Sequence, residues 1–355
     1  MYIVPTILIL FAVIAVLPYL EKYMGKYKLP IYIIIGIILV VLAGTREVGI
    51  DPDSETYEYD FHNYYSTKAA AGVDLSYLFF SSILNIFTHD VHSIFLLYAF
   101  LGILLKFVAF RQLSEFWFLP IVIYMSFYYE VHEITQIRTG VLTSMFLLAI
   151  KPMAEGRKWR AALYLLIGSI FHISAIMLLP VLFLSNNDMS PKTRLFWALI
   201  VPAAYFFYFF GTSFIMNVDL PYIGYKLAAY QAAEEVGVSK VAVYVFSPFN
   251  FITIFLYYYL LFFYDTIIEK NKYFPLMIKI FGIGVFAYVA FAFLSIVAER
   301  VSFQYRVVTM LLYTNVIYTL KPKWAGILAI IFIGFAYLNY TIPYVFDVHL
   351  LWNNK

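Results

Sequence analysis

Residues 29–44 read LPIYIIIGIILVVLAG, sixteen consecutive positions without a charged side chain. This approaches the roughly 20 apolar residues that a helix needs to cross a bilayer core. Lipid offers the backbone no hydrogen-bond partners, so such runs have to be helical. Other apolar runs, some of which contain one charged residue, occur at about 3–20, 92–110, 116–130, 134–150, 161–184, 194–216, 243–264, 275–297, 303–320 and 324–341. The sequence therefore predicts an all-α, polytopic integral membrane protein with about ten to twelve transmembrane helices.

The composition favours the same class and excludes several functions. Hydrophobic residues make up 63% of the 355 positions and charged residues only 13%. A soluble domain needs more charge to cover its surface. There is no cysteine, which excludes disulfides, thiol chemistry and Cys-held haem or zinc, and the net charge of +3 is too small to indicate a nucleic-acid partner. Residues 1–20 lack a basic start and are expected to form a spanning helix rather than a cleaved signal.

The charges of the loops predict the domain organisation and the orientation. Loops 21–28, 151–160 and 321–323 are basic and are predicted to be cytoplasmic, whereas 45–74 is acidic and is predicted to be external. A spanning helix at 75–88 would place the basic loop 151–160 outside, so 75–88 is interpreted as an external or re-entrant helix. We expect a single transmembrane domain over 1–355, with an external loop at about 45–91 and a second irregular loop at about 217–242.

Ionisable residues near apolar runs mark candidate functional positions, because charge is costly at membrane depth. Arg46 and Asp51 lie at the external end of a predicted helix, beside an aromatic run that includes Tyr57. The alternative is a solvated loop with a snorkelling arginine. Asp51 opens a sequence similar to a calcium loop, but Thr56 and His62 stand where that loop needs Gly and Glu. We therefore expect no metal and no other cofactor.

Two further polar positions occur in the middle of the chain. Glu133, Gln136 and Arg138 open a predicted apolar helix, and helical spacing places Glu133 and Gln136 on one face. They indicate a lined cavity, with an interface anchor as the alternative. His172 is expected about half-way along a spanning helix. The alternative there is a buried histidine that serves only as a structural hydrogen-bonding group.

The last polar position is 299–306. Arg300 is expected at the external interface, and Arg306 is expected to be buried one to two turns into the next helix. A buried arginine requires an anion, either a carboxylate or a phosphate. With Arg46 and Arg138 predicted on the same side of the membrane, this pattern favours recognition of a lipid headgroup that carries phosphate.

Four stretches, in this order, resemble the motifs of the EpsG-like branch of Wzy-type polysaccharide polymerases. The stretches are A-G-T-R-E-V-G-I-D at 43–51 followed by Tyr57, Q-I-R at 136–138, F-H-I-S-A at 171–175 and R-V-S-F-Q-Y-R at 300–306. The resemblance covers about residues 40–315.

The resemblance implies a glycosyltransferase of GT-C-like architecture in the bacterial inner membrane, with its active site facing the periplasm or cell exterior. Such enzymes transfer a growing glycan from undecaprenyl diphosphate to the non-reducing end of a lipid-linked repeat unit, and they need no metal. The product is capsule, exopolysaccharide or O-antigen. The implied partners are the lipid-linked oligosaccharide, membrane lipid, a flippase and a chain-length regulator.

Displacement of a diphosphate needs fixed cations and a base. The candidate cations are Arg138, Arg300 and Arg306, followed by Arg46. The first candidate for the base is Asp51, followed by Glu133 and His172, although His172 fits a supporting role better. The candidate substrate-binding residues are Arg46, Tyr57, Gln136, Tyr305 and Arg306.

Two other classes of protein fit parts of the pattern. A transporter or flippase of lipid-linked oligosaccharide would also contain buried charge, but such proteins often show internal repeats, and none is visible here. An O-antigen ligase would use the same donor with a different acceptor. Vectorial uptake would favour the transporter, and complete loss of core-linked units in a mutant would favour the ligase.

Overall fold

The computed structural model describes residues 2–66, 74–216 and 243–346, and every regular element within these ranges is a helix. The predicted all-α class is therefore confirmed. The chain divides into two compact units, Met1–Phe183 with Met310–Lys355, and Leu184–Thr309. The predicted irregular loop at 217–242 lies outside the described residues, and the single domain over 1–355 stays a prediction.

The first unit contains most of the long helices. In chain order its main elements are α1 (Ile3–Leu20), α2 (Lys28–Gly44), α3 (Ser54–His62), α4 (Leu75–Phe87), α5 (His92–Leu113), α6 (Leu119–Ile123), a π-helix (Tyr124–Thr135), α7 (Ile137–Ala154), α8 (Lys158–Phe171) and a 3₁₀ helix (Ile173–Phe183). The returning segment adds a 3₁₀ helix (Tyr313–Tyr318) and a long helix (Lys323–Phe346). The helix α7 packs against α5 and α8, and α2 packs against α5.

The second unit is built from shorter helices. Its elements are Pro191–Ala198, Ile200–Met216, Pro248–Phe262, Tyr264–Ile268, Phe274–Ala290 and Ser295–Arg306. Ser190 and Ser247 cap two of them, since each hydroxyl accepts a hydrogen bond from a backbone N–H in the first turn.

Six described helices are long and apolar enough to cross a membrane: Ile3–Tyr23, Gly25–Gly44, His92–Leu113, Ile137–Ala154, Pro191–Gly211 and Lys323–Phe346. Four other apolar helices are shorter: Leu75–Phe87, Ile173–Phe183, Pro248–Phe262 and Phe274–Ala290. The chain is thus a polytopic, membrane-embedded protein, whereas the number of ten to twelve crossings stays a prediction.

The segment between α2 and α5 begins and finishes at the same end of this helix pair. Nε2 of His92, the first residue of α5, lies 3.0 Å from the backbone oxygen of Arg46, which follows α2. Both α3 and α4 lie in this segment. The 13 residues of α4 are too few for a span.

Candidate active site

A carboxylate, a guanidinium and an imidazole meet in the first unit. Asp74 Oδ2 lies 3.2 Å from Arg138 Nη1 and 3.0 Å from His172 Nδ1. The second distance is that of a direct contact, although the ring N–H does not point directly at the oxygen. The side chains are 13%, 21% and 23% exposed, respectively. The three groups are therefore held in place and still open to a ligand.

Three separate elements bring these residues together. Asp74 precedes α4 with extended backbone, Arg138 is the second residue of α7, and His172 directly follows α8. The helices α7 and α8 form a hairpin whose open end holds Arg138 and His172. A Cβ at Gly168 would lie 2.8 Å from Leu142 Cδ1, so this hairpin is tightly packed.

The predicted position of His172, half-way along a spanning helix, is wrong. The helix α8 ends at Phe171, and His172 has extended backbone with φ −155° and ψ 125° before the 3₁₀ helix begins. The break leaves backbone N–H groups without helical partners. Asp74 Oδ1 accepts a hydrogen bond from one of them, Ile173 N, at 3.3 Å. One carboxylate thus stabilises the break and also pairs with the imidazole at the break.

Aromatic rings surround the guanidinium of Arg138. The Arg138 Cζ atom lies 5.3 Å from the ring centroid of Tyr57 and 5.9 Å from that of Tyr77. These two rings stack on each other with centroids 5.6 Å apart, and Tyr77 donates a hydrogen bond to the Tyr57 carbonyl at 2.6 Å. Tyr57 is only 3% exposed. Its position therefore suits support of Arg138 better than stacking on a sugar.

The electrostatics of Asp74 keep it ionised. Burial raises the pKa of Asp74, but the imidazole of His172, the charge of Arg138 and the N–H of Ile173 together lower this pKa below its usual value. The sequence alone does not distinguish Asp74 from the other acids of the loop 45–74. The available signal was its position directly before an apolar helix, where short polar residues cap helices.

Arg46 and Asp51 form a different, enclosed pair. Arg46 Nε donates to Asp51 Oδ2 at 3.1 Å, and both side chains are 0% exposed. Asp51 Oδ1 also accepts the backbone N–H groups of Asp53 and Ser54, each at 3.1 Å, at the start of α3. Arg46 Nη1 donates to the Ala43 carbonyl at 2.8 Å. This pair links the end of α2 to the start of α3 without facing solvent.

Glu133 does not open the helix that carries Arg138, contrary to the sequence prediction. It lies in the π-helix, where Gln136 N donates to Val131 O five residues back at 2.7 Å, and α7 begins only at Ile137. Glu133 and Gln136 therefore do not share a face of one regular helix, because Gln136 leaves helical geometry at ψ 62°.

The side chain of Glu133 instead pairs with a buried lysine. Lys106 Nζ lies 2.6 Å from Glu133 Oε1, with side-chain exposures of 0% and 1%. Lys106 also donates to the Gly140 carbonyl at 2.7 Å and to Ser144 Oγ at 2.9 Å. This lysine therefore links α5, the π-helix and α7 below the turn that presents Arg138.

Arg300 and Arg306 belong to the second unit, on the same helix, Ser295–Arg306. The predicted burial of Arg306 is confirmed, but its position within a following helix is wrong, because Arg306 is the last residue of this one. Six residues at 100° each place the two arginines on different faces. Arg300 is accordingly exposed.

Arg306 is held by neighbours within its own unit. Its Nη2 donates to Thr253 Oγ1 at 2.9 Å, and its Cζ lies 5.5 Å from the ring of Phe249 and 5.4 Å from that of Tyr288. The preceding residue, Tyr305, is 3% exposed. The predicted roles of Arg300, Tyr305 and Arg306 toward a substrate stay predictions.

The fold and this site define a polytopic helical membrane protein in which a guanidinium, a carboxylate and an imidazole meet at the ends of helices. The EpsG family model matches residues 29–353, and the chain belongs to this family, which is associated with polysaccharide polymerisation. Searches of curated proteins and of solved structures gave no significant match.

Proposed function

We propose that the protein is a repeat-unit polymerase that transfers a growing glycan from undecaprenyl diphosphate to the non-reducing end of a lipid-linked repeat unit. The Asp74–Arg138–His172 cluster carries this proposal, because it combines a cation, an oriented imidazole and partial exposure. The reaction is a single displacement that inverts the anomeric centre. It proceeds without a metal ion.

Arg138 stabilises the leaving group. The new bond joins the acceptor oxygen to the anomeric carbon, and the bond from this carbon to the diphosphate oxygen breaks. The electron pair of the broken bond leaves with the diphosphate, so negative charge builds up there. Nη1 of Arg138 contacts Asp74, and guanidinium has five N–H donors suited to phosphate oxygens.

His172 accepts the proton of the acceptor hydroxyl. The 3.0 Å contact between Nδ1 and Asp74 favours the tautomer that carries its hydrogen on Nδ1, and this tautomer leaves Nε2 as the basic nitrogen. The contacts of Asp51 favour a structural role for that residue, since Arg46 and two backbone N–H groups already occupy its oxygens. The buried ion pair between Glu133 and Lys106 favours a structural role for Glu133 as well. The proposed base is therefore His172, with Asp74 as its positioning residue.

The outer face of the inner membrane is the proposed location of this reaction. Arg138 begins α7 and His172 follows α8, whereas the basic loop 151–160 connects the other ends of these two helices. Basic loops usually lie on the cytoplasmic side of the membrane. The cluster is at the opposite ends of α7 and α8, which supports a position on the external side. A flippase that delivers the substrate and a regulator of chain length are the proposed partners.

The test is polymerisation in nanodiscs with lipid-diphosphate-linked repeat units and EDTA. The native chain is expected to form a ladder of products, and Arg138→Ala and His172→Ala should each lower the rate about 100-fold or more. The control is His62→Ala, because His62 is exposed on α3 and lies outside the cluster. Rates equal to that of the control would overturn the assignment of the cluster. Absence of a ladder with the folded native chain would overturn the polymerase itself.

A further inference from the structure

An apolar groove runs along the outer face of the first unit, between α2 and α5. It has a volume of about 420 Å³, and its lining includes Ile33, Gly36, Ile37, Phe100, Leu104 and Phe107. A Cβ at Gly36 would lie 3.3 Å from the ring of Phe107, so the absence of a side chain there leaves room for this ring. Ile37 and Phe100 are 56% and 50% exposed, so the groove is open to its surroundings.

Two cations face one indole at one end of this groove. Lys28 Nζ lies 4.1 Å and Arg111 Cζ 4.4 Å from the ring centroid of Trp117. Arg111 also lines the groove. Glu21 Oε1 accepts the backbone N–H of Trp117 at 2.8 Å and lies 2.7 Å from Lys28 Nζ, which fixes this arrangement.

The charge at this end is positive. Four basic residues and two acidic ones occur in the two segments 21–28 and 111–117, leaving an excess of two positive charges. They are Lys22, Lys26, Lys28 and Arg111, with Glu21 and Glu115. Tryptophan and basic side chains are typical of the level of lipid headgroups. An anionic headgroup therefore fits this end of the groove better than a zwitterionic one.

The length of the groove matches one leaflet. From Arg111 to Phe100 it follows eleven residues of α5, about 16 Å at the helical rise. Half of a hydrocarbon core is about 15 Å. The groove thus accommodates an acyl chain that descends from a headgroup at Trp117 to the middle of the bilayer.

We infer that this groove binds an anionic glycerophospholipid, with its phosphate between Lys28 and Arg111 and one acyl chain along α2 and α5. Arg111 lies at the basic end, whereas Tyr98, thirteen residues earlier on α5 and therefore about 20 Å away, contacts the ring of Phe171 next to His172. The phospholipid site is therefore separate from the Asp74–Arg138–His172 cluster and does not depend on the proposed polymerase reaction.

The test uses Trp117 as the reporter. The other four tryptophans, at 159, 197, 324 and 352, are replaced by phenylalanine, and the protein is placed in nanodiscs. Brominated phosphatidylglycerol or brominated phosphatidylcholine is added at the same low mole fraction. Phosphatidylglycerol is expected to quench Trp117 at a lower mole fraction, by about fivefold for each basic residue that contacts it.

Matched substitutions identify the cations. Lys28→Gln with Arg111→Gln should abolish the preference, whereas Lys26→Gln should retain it, because Lys26 faces Tyr27 instead, 5.3 Å from its ring centroid. The single change Arg111→Gln leaves the Lys28–Glu21 pair intact and should lower the preference about fivefold without disturbing the loop.

Three results would overturn the inference. The first is equal quenching by the two lipids. The second is a preference that Arg111→Gln leaves unchanged. The third is displacement of brominated phosphatidylglycerol by a small amount of undecaprenyl phosphate, which would assign the groove to the polyprenyl substrate.

Discussion

Removing the buried ammonium of Lys106 should destabilise the protein strongly, and removing its partner as well should restore much of the loss. The pair is 2.6 Å apart and 0% and 1% exposed. At an effective dielectric constant of 20, charges at this separation attract by about 6 kcal/mol. Loss of one partner of a buried pair usually costs about 3–5 kcal/mol, because a buried charge stays uncompensated. We expect Lys106→Met to fall in this range.

The double change Lys106→Met with Glu133→Gln removes both charges. The Gly140 carbonyl keeps hydrogen bonds from Thr143 Oγ1 at 3.0 Å and Ser144 Oγ at 2.8 Å, so it is not left without a donor. Replacing a whole buried pair is often close to neutral. The double variant should therefore lie within about 2 kcal/mol of the native chain.

Thermal stability in detergent, followed by size-exclusion chromatography, gives the first measurement, and polymerisation in nanodiscs gives the second. The control is Lys151→Met, at the last turn of α7, which should change stability by less than about 0.5 kcal/mol. A double variant that is stable and active assigns Glu133 to structure. A stable but inactive double variant would refute this assignment and restore Glu133 as a catalytic candidate. Equal loss of stability in the single and double variants would refute the prediction that removing both charges costs less than removing one.

Three other predictions concern Asp74 and the second unit. Asp74→Asn should lower the polymerisation rate at least about tenfold while the protein stays folded, because the imidazole loses its orienting charge, and an unchanged rate would exclude a positioning role. Because the pKa of Asp74 is lowered in the folded state, its stabilisation is present above the unfolded value of about 3.9 and is lost as the pH falls through the folded value. The difference in melting temperature between the native chain and Asp74→Asn should therefore persist from pH 7 to 5 and shrink only below about pH 4, and a difference already lost at pH 6 would contradict this. Gly284→Ala should lower stability by about 1–3 kcal/mol, because the new Cβ would lie 2.7 Å from Arg306 Cγ, and an unchanged melting temperature would contradict this packing.

The apolar runs and the order of the motifs were sufficient for the class of protein and for the family. Uncharged runs such as 29–44 can only be helices in lipid, so this inference needs no tertiary contact. The motifs around Arg138 and His172 could be recognised for a related reason: they are short and local in sequence. In the structure both residues contact Asp74, and neither composition nor spacing predicts that they lie close together.

Only the tertiary structure separated exposed candidates from enclosed ones. Asp51 and Asp74 are both acids of the same predicted loop. The side chain of Asp51 is 0% exposed and pairs with Arg46, whereas that of Asp74 is 13% exposed and contacts the imidazole of His172. Side-chain partners 64 and 98 residues apart, as in Asp74 with Arg138 and His172, depend on how the helices pack, and helical periodicity carries no such information. The break at His172 was hidden for the same reason, since apolar residues continue through it and the compensating carboxylate comes from a distant part of the chain.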